Sequence, residues 1–137
     1  MAKKIVLVGH DGLAEGMKKA IEFIAGRQDN ILVLSMKSDG LENFKKNFTQ
    51  MMNEIPEADD ILLVSDIPSG SPGTNGYSTA LKLNKKVTYL TGMNLAMVLE
   101  LALSSSSPYQ KAIQSAKASI MNMGDTLKAV PDDHFMF

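Results

Sequence analysis

His10 and Asp66 are the residues of this chain whose types and neighbours could do chemistry together. His10 stands in Gly9-His10-Asp11-Gly12, after the apolar run Lys4 to Val8, and Asp66 opens Asp66-Ile67-Pro68-Ser69-Gly70-Ser71-Pro72 after the run Asp60 to Ser65. A carboxylate beside an imidazole orients the ring and takes one N–H, which sets the tautomer. It also stabilises the cation formed when the other nitrogen attacks. Such a nitrogen suits acceptance of a phosphoryl group. Gly70 and Ser71 would hold the phosphoryl oxygens: Ser71-Pro72 reads as N-cap plus first helical residue, and helix N-termini attract anions. The plainer readings are a loop histidine, an Asx turn at Asp66 before Pro68, and Ser71 as a cap only. Ser71 is a poor hydrolase nucleophile, because Pro72 has no N–H for an oxyanion hole. His134 reads as a solvated tail residue.

Those residues need elements to bring them together. Four continuous apolar runs, Lys4 to Val8, Ile31 to Met36, Asp60 to Ser65 and Lys86 to Thr91, read as strands buried on both faces and hence as a parallel sheet. Helical stripes lie between them. Leu13, Met17, Ala20, Ile21 and Ile24 form the first, and Leu41, Phe44, Phe48, Met51 and Ile55 the second, with Asp39-x-x-Glu42 as a capping box. A third helix runs from Ser71-Pro72 to about Leu83. Asn94 caps a fourth, Leu95 to Leu103, and Ser107-Pro108 a fifth with Tyr109, Ala112, Ile113, Ala116 and Ile120 on its stripe. The fourth is apolar all round except at Glu100, which predicts a subunit interface; cover by the fifth helix and the tail is the alternative. Thr126 to Val130 reads as a short strand.

Alternation of this kind predicts an α/β fold: a three-layer, doubly wound open sheet of four parallel strands in order 2-1-3-4. Ligands bind such sheets outside the carboxyl ends of the strands, where the winding reverses. Here that is between the first and third strands, so topology alone sets His10 beside Asp66.

Composition narrows the chemistry. The 137 residues predict one domain, 1–137, and 45% hydrophobic with 21% charged residues is globular composition. A formal net charge of -1 gives no argument for nucleic acid. No cysteine and two histidines leave little to build a metal site, and no metal is expected. The glycines match neither Gly-x-Gly-x-x-Gly nor Gly-Lys-Ser/Thr, so no nucleotide or other cofactor is expected. Leu95 to Leu103 falls far short of the roughly 20 residues that span a bilayer, and the expectation is a cytoplasmic protein without membrane insertion.

The chain resembles the IIA component of the mannose/fructose/sorbose branch of the bacterial phosphoenolpyruvate-dependent sugar phosphotransferase system. His10-x-x-Leu13-Ala14-Glu15-Gly16, Asp66-x-x-x-Gly70-Ser71-Pro72 and Thr91-Gly92-x-Asn94-Leu95-x-Met97 carry the resemblance over about residues 4 to 125. It implies that His10 takes a phosphoryl group from the histidine phosphocarrier protein and hands it to the IIB component. It implies that Asp66 hydrogen-bonds His10 and that Ser71 shares the pocket. A homodimer that exchanges an antiparallel edge strand is also implied, with Thr126 to Val130 in that role within the tail 126–137. Asp11, Met36, Ile67, Pro68 and Ser69 would then meet the partner proteins. Asp11 stands where the family usually has Gly, which makes the pocket mouth more acidic. The Ile67 to Gly70 loop replaces an aromatic and Gly-Gly, and Ala96 replaces Pro. Two rival functions fit the same residues: the phosphoryl-carrying subunit of a phosphoenolpyruvate-dependent dihydroxyacetone kinase, and a non-catalytic sensor of a phosphate ester.

Overall fold

The structure, a computed structural model, describes residues 3–104 and 109–127. The order is β1 (Lys3–His10), α1 (Leu13–Ala25), β2 (Ile31–Met36), α2 (Leu41–Glu54), β3 (Asp60–Ser65), α3 (Ser71–Lys82), β4 (Lys86–Thr91), α4 (Leu95–Leu103), α5 (Tyr109–Ala118) and α6 (Met123–Leu127). The strands form one sheet in the order β2-β1-β3-β4. All three pairings are parallel, with Val8 opposite both Leu34 and Ser65, and Ser65 opposite Thr91. The carboxyl ends of the strands therefore finish at one edge of the sheet.

The winding explains which helix covers which face. The chain leaves β1 toward β2 and later crosses back past β1 to β3 and on to β4. Crossovers of one hand made in opposite directions must lie on opposite faces. Accordingly Ile5, Leu7, Leu62 and Val64 pack with Ala14 and Ile21 of α1, Met97, Val98 and Leu101 of α4, and Ala112 and Ala116 of α5. Val6, Val8, Ile61 and Leu63 pack with Phe44, Phe48 and Met52 of α2 and Ala80 of α3. In β1, Ile5 and Leu7 belong to the core on the α1 and α4 side, while the smaller Val6 and Val8 share theirs with two stacked phenylalanine rings 5.8 Å apart.

Helix ends differ from the expected ones. The residue flanking α2 is Gly40, at φ 97, and not Asp39. That positive φ favours glycine, and Asp39 instead accepts from the side chain of Asn43. Likewise Gly70 is the N-cap of α3, and Ser71 is already its first helical residue. Asn94 caps α4 as expected, its Oδ1 accepting from Met97 N–H at 2.9 Å. Ala112 and Ala116 let α5 come close to α4, so α4 is covered on one side within the chain, while Leu103 remains 66% exposed. The all-round apolar pattern of α4 therefore does not by itself require a subunit interface. Ile120 lies beyond α5 and is exposed. The expected strand at Thr126 to Val130 is not one at its start: Thr126 and Leu127 belong to α6. The rest of that segment, His134 and the Ser107-Pro108 cap lie outside the described residues.

Gly73 lets α3 lie directly on the end of the sheet. A methyl group there would overlap the Tyr89 hydroxyl and come within 2.7 Å of Ser65 Cβ. Gly73→Ala should lower stability by about 1–3 kcal/mol in urea denaturation, as overpacking does. Adding Tyr89→Phe should recover only part of that loss, because Ser65 Cβ stays; full stability of Gly73→Ala alone would show that the contact yields freely.

Candidate functional site

The site is built where β1 and β3 end side by side. Asp66, the first residue after β3, places Oδ2 3.0 Å from the backbone N of His10 and 2.8 Å from its Nδ1. Its Oδ1 accepts from Ile67 N–H at 2.9 Å. The two side chains are unequally exposed, 41% for His10 and 9% for Asp66, so the carboxylate is the sheltered partner and the ring opens to solvent. Burial pushes the Asp66 carboxyl up. The His10 side-chain hydrogen bond, the His10 and Ile67 backbone N–H groups and the charge of His10 more than offset it, and the group ends below the ordinary carboxylate value. An ionised carboxylate only accepts. Nδ1 therefore carries a proton, and in the neutral ring the lone pair lies on Nε2.

Nε2 faces the start of α3. A Cβ on Gly70 would lie 2.8 Å from His10 Cε1 and 3.5 Å from Nε2, so the absence of a side chain there lets the ring sit against the helix end. N–H groups in a first helical turn have no intrahelical acceptor; here they belong to Ser71 and Gly73, since Pro72 has none. His10 points to this side because β1 alternates: it shares the parity of Val6 and Val8, which face α2 and α3. After His10 the chain turns through Asp11 at φ 54 and Gly12 at φ 125 into α1. Asp11 N–H donates to Met36 O at 2.8 Å, which ties the turn to the end of β2.

An imidazole open to solvent, paired with a sheltered carboxylate at a helix N-terminus, suits anion handling, and sequence comparison narrows the chemistry further. The family model described as "PTS system fructose IIA component" matches residues 4–121. The chain belongs to this family. Membership places this IIA protein among the phosphotransfer components of sugar phosphotransferase systems. It is 24% identical over 97 residues to the fructose-specific EIIA component of Bacillus subtilis, spanning 70% of this chain and 66% of that protein. It is 29% identical over 105 residues to the sorbose-specific EIIA component of Lacticaseibacillus casei, spanning 76% and 75%. Two solved structures share the fold. The PTS IIA protein associated with the fucose utilization operon of Streptococcus pneumoniae has a TM-score of 0.81 at 22% identity, over 93% of this chain and 97% of that one. The mannose/sorbose specific IIA subunit of Enterococcus faecalis has a TM-score of 0.77 at 23% identity, over 89% and 95%.

The IIA protein brings together His10, Asp66 and Gly70 of the residues singled out from sequence. Ser71 is exposed beside them at the helix start. Asp11, Ile67, Pro68 and Ser69 are exposed around the site, and Met36 is half-buried at the end of β2. Among the described residues no group of three or more His, Cys, Asp or Glu could hold a metal, and no helix is long and apolar enough to cross a membrane.

The sequence reading missed the hydroxyls beneath the site. Ser65 is fully buried, with Oγ 3.0 Å from Tyr89 Oη, 2.9 Å from Thr91 Oγ1 and 3.3 Å from the Ile67 carbonyl. Its carbonyl accepts from Met93 N–H at 3.0 Å, so one residue anchors the loops after β3 and β4. Ser35 does the same between β2 and α1, accepting from Ala14 N–H at 3.2 Å and donating to Glu15 Oε1 at 2.6 Å. The available signal was a serine at or near the end of a buried apolar run, where a hydroxyl needs partners.

The pair also links stability to pH. A carboxylate held below its unfolded value of about 3.9 stabilises the fold above that pH and ceases to as pH falls through its folded value. Asp66→Asn does not titrate. Its stability deficit in urea denaturation should be largest near neutral pH and shrink below about pH 4. A constant deficit over that range would show that Asp66 contributes no net linkage.

Proposed function

We propose that His10 accepts a phosphoryl group on Nε2 from the histidine phosphocarrier protein and passes it to a IIB component, in the cytoplasm, for coupled sugar uptake and phosphorylation. The observation that carries this reading is the 2.8 Å bond from His10 Nδ1 to Asp66, which in the neutral ring puts the lone pair on Nε2, beside the start of α3. In the first transfer the donor's N–P bond breaks, its electron pair returns to the donor imidazole, and the Nε2 lone pair forms the new bond. The Nδ1 proton stays in place, and Asp66 balances the imidazolium charge that develops. The Ser71 and Gly73 N–H groups meet the phosphoryl oxygens, while Asp11, Met36 and the Ile67–Ser69 loop meet the partner. The second transfer runs the same steps toward IIB. Exchange between two imidazoles needs positioning and shielding rather than a large driving force. Residues 1–137 act as one IIA domain in this scheme.

Intact-mass measurement after incubation with phosphoenolpyruvate, enzyme I and the carrier should show one added phosphate, acid-labile and base-stable. His10→Ala should remain folded and unlabelled; full labelling of that variant would rule the assignment out. Asp66→Asn should slow transfer by about 10²-fold or more, by analogy with loss of a tautomer-fixing carboxylate elsewhere. A native rate in stopped-flow transfer would make Asp66 a turn residue only.

We further propose that the IIA protein works as a homodimer, with the exposed Leu103 end of α4 in the interface. Stability should then rise with protein concentration. Sedimentation equilibrium at micromolar concentration should give twice the chain mass, and a monomer mass would reject the interface.

A further inference from the structure

Ser65 carries a hydroxyl where an apolar sheet has no need of one. It is fully buried at the end of β3, directly before Asp66. Its Oγ makes three contacts: 3.0 Å to Tyr89 Oη, 2.9 Å to Thr91 Oγ1 and 3.3 Å to the Ile67 carbonyl. A serine hydroxyl has one proton and two lone pairs. All three contacts are hydrogen bonds together only when Tyr89 and Thr91 donate and the Ser65 proton goes to Ile67. Alanine, phenylalanine and valine at these three positions would leave no hydroxyl to satisfy, and apolar replacement of a whole buried set is close to neutral in stability. What that set would lack is the tie to Ile67. Ile67 in turn holds the loop together. Its N–H donates to Asp66 Oδ1 at 2.9 Å, and its carbonyl also accepts from Gly70 N–H at 3.4 Å. The other oxygen of Asp66 holds His10.

We propose that Ser65 is a positioning residue for phosphoryl transfer: its hydroxyl, anchored to β4 by Tyr89 and Thr91, fixes the Ile67 peptide and through it the carboxylate that orients the His10 ring. This deepens the reading of His10 as the phosphoryl acceptor and rests on it. The Ser65 side chain bonds Tyr89, Thr91 and Ile67 and not His10, so it acts through Asp66. Without the hydroxyl, the amide that holds Asp66 Oδ1 is less firmly held itself. Oδ2 follows, because both oxygens belong to one rigid group, and Nδ1 loses part of its preference over Nε2 for the proton. Nε2 then offers its lone pair in a smaller share of neutral rings, and transfer slows.

Two full-length variants test this. Ser65→Ala strands the Tyr89 and Thr91 hydroxyls. The triple variant Ser65→Ala, Tyr89→Phe, Thr91→Val strands none, and it carries the test alone where the single variant does not fold. Nitrogen NMR of the neutral His10 ring reads the tautomer balance, and stopped-flow transfer from a histidine phosphocarrier protein reads the rate. In both variants the Nε2–H tautomer should rise and transfer should slow by about threefold to tenfold, the range for one hydrogen bond between neutral groups. In an Asp66→Asn background the same changes should slow transfer little further, because the path through the carboxylate is already lost. A native balance and rate in the triple variant would overturn the proposal, leaving the hydroxyls a role in stability alone. Full additional slowing in the Asp66→Asn background would overturn it too. If the native chain takes no phosphate from the complete phosphoenolpyruvate system, the carrier reading falls, and the tautomer balance by itself still decides whether Ser65 orients the ring.

Discussion

One carboxylate joins the two strands between which the chain reverses its winding. Asp66 takes the His10 backbone N–H, the His10 imidazole and the Ile67 N–H, and so fixes the end of β1, the start of the loop after β3 and the ring between them. Hydrogen bonds to charged groups are worth about 1.5–3 kcal/mol each in sheltered positions, against an uncompensated cost for a buried charge with none. The balance here favours the ion, as its lowered pKa records. The clearances around it follow. A Cβ at Gly9 would lie 3.2 Å from Asp66 Oδ2, and one at Gly70 would press on the ring from the other side. Neither glycine serves a turn with positive φ. Both are small because the pair between them needs the space.

The strands were legible in the sequence because a strand covered on both faces has to be continuously apolar, and Ile31–Met36, Asp60–Ser65 and Lys86–Thr91 end where their runs end. Sheet order followed from alternation and handedness, and the meeting of His10 with Asp66 followed from sheet order. Local rules failed where tertiary demands outvoted them. Ser71 has the better capping side chain, yet Gly70 holds the position, against the His10 ring. Asp39 could cap α2, but Gly40 supplies a backbone angle that aspartate adopts less readily. The apolar surround of α4 was ambiguous because two alanines on a later helix, Ala112 and Ala116, decide how much of it is covered.

The supporting hydroxyls were hidden for a different reason. Ser65 and Thr91 are neighbours only through the register of β3 on β4, and Tyr89 reaches Ser65 only because Gly73 leaves room. Each is unremarkable in its own segment. Their common purpose appears when the strands are aligned, and it is to hold the loop that carries Asp66 at a fixed height above the sheet.

The two faces of β1 carry a further consequence. Ile5 and Leu7 on one side and Val6 and Val8 on the other are all fully buried, so polarity does not distinguish the strand from itself shifted by one residue. A slip would move every side chain to the opposite face. What discriminates is the packing of each face: the valines share theirs with Phe44, Phe48 and Met52, isoleucine and leucine theirs with Ala14, Ile21, Met97, Val98 and Leu101. A collapsed chain thus has two registers of nearly equal greasiness, and only docking of the helices separates them. In the slipped one His10 would turn away from α3. The packing that sets the register of β1 is thus also what aims His10 at α3.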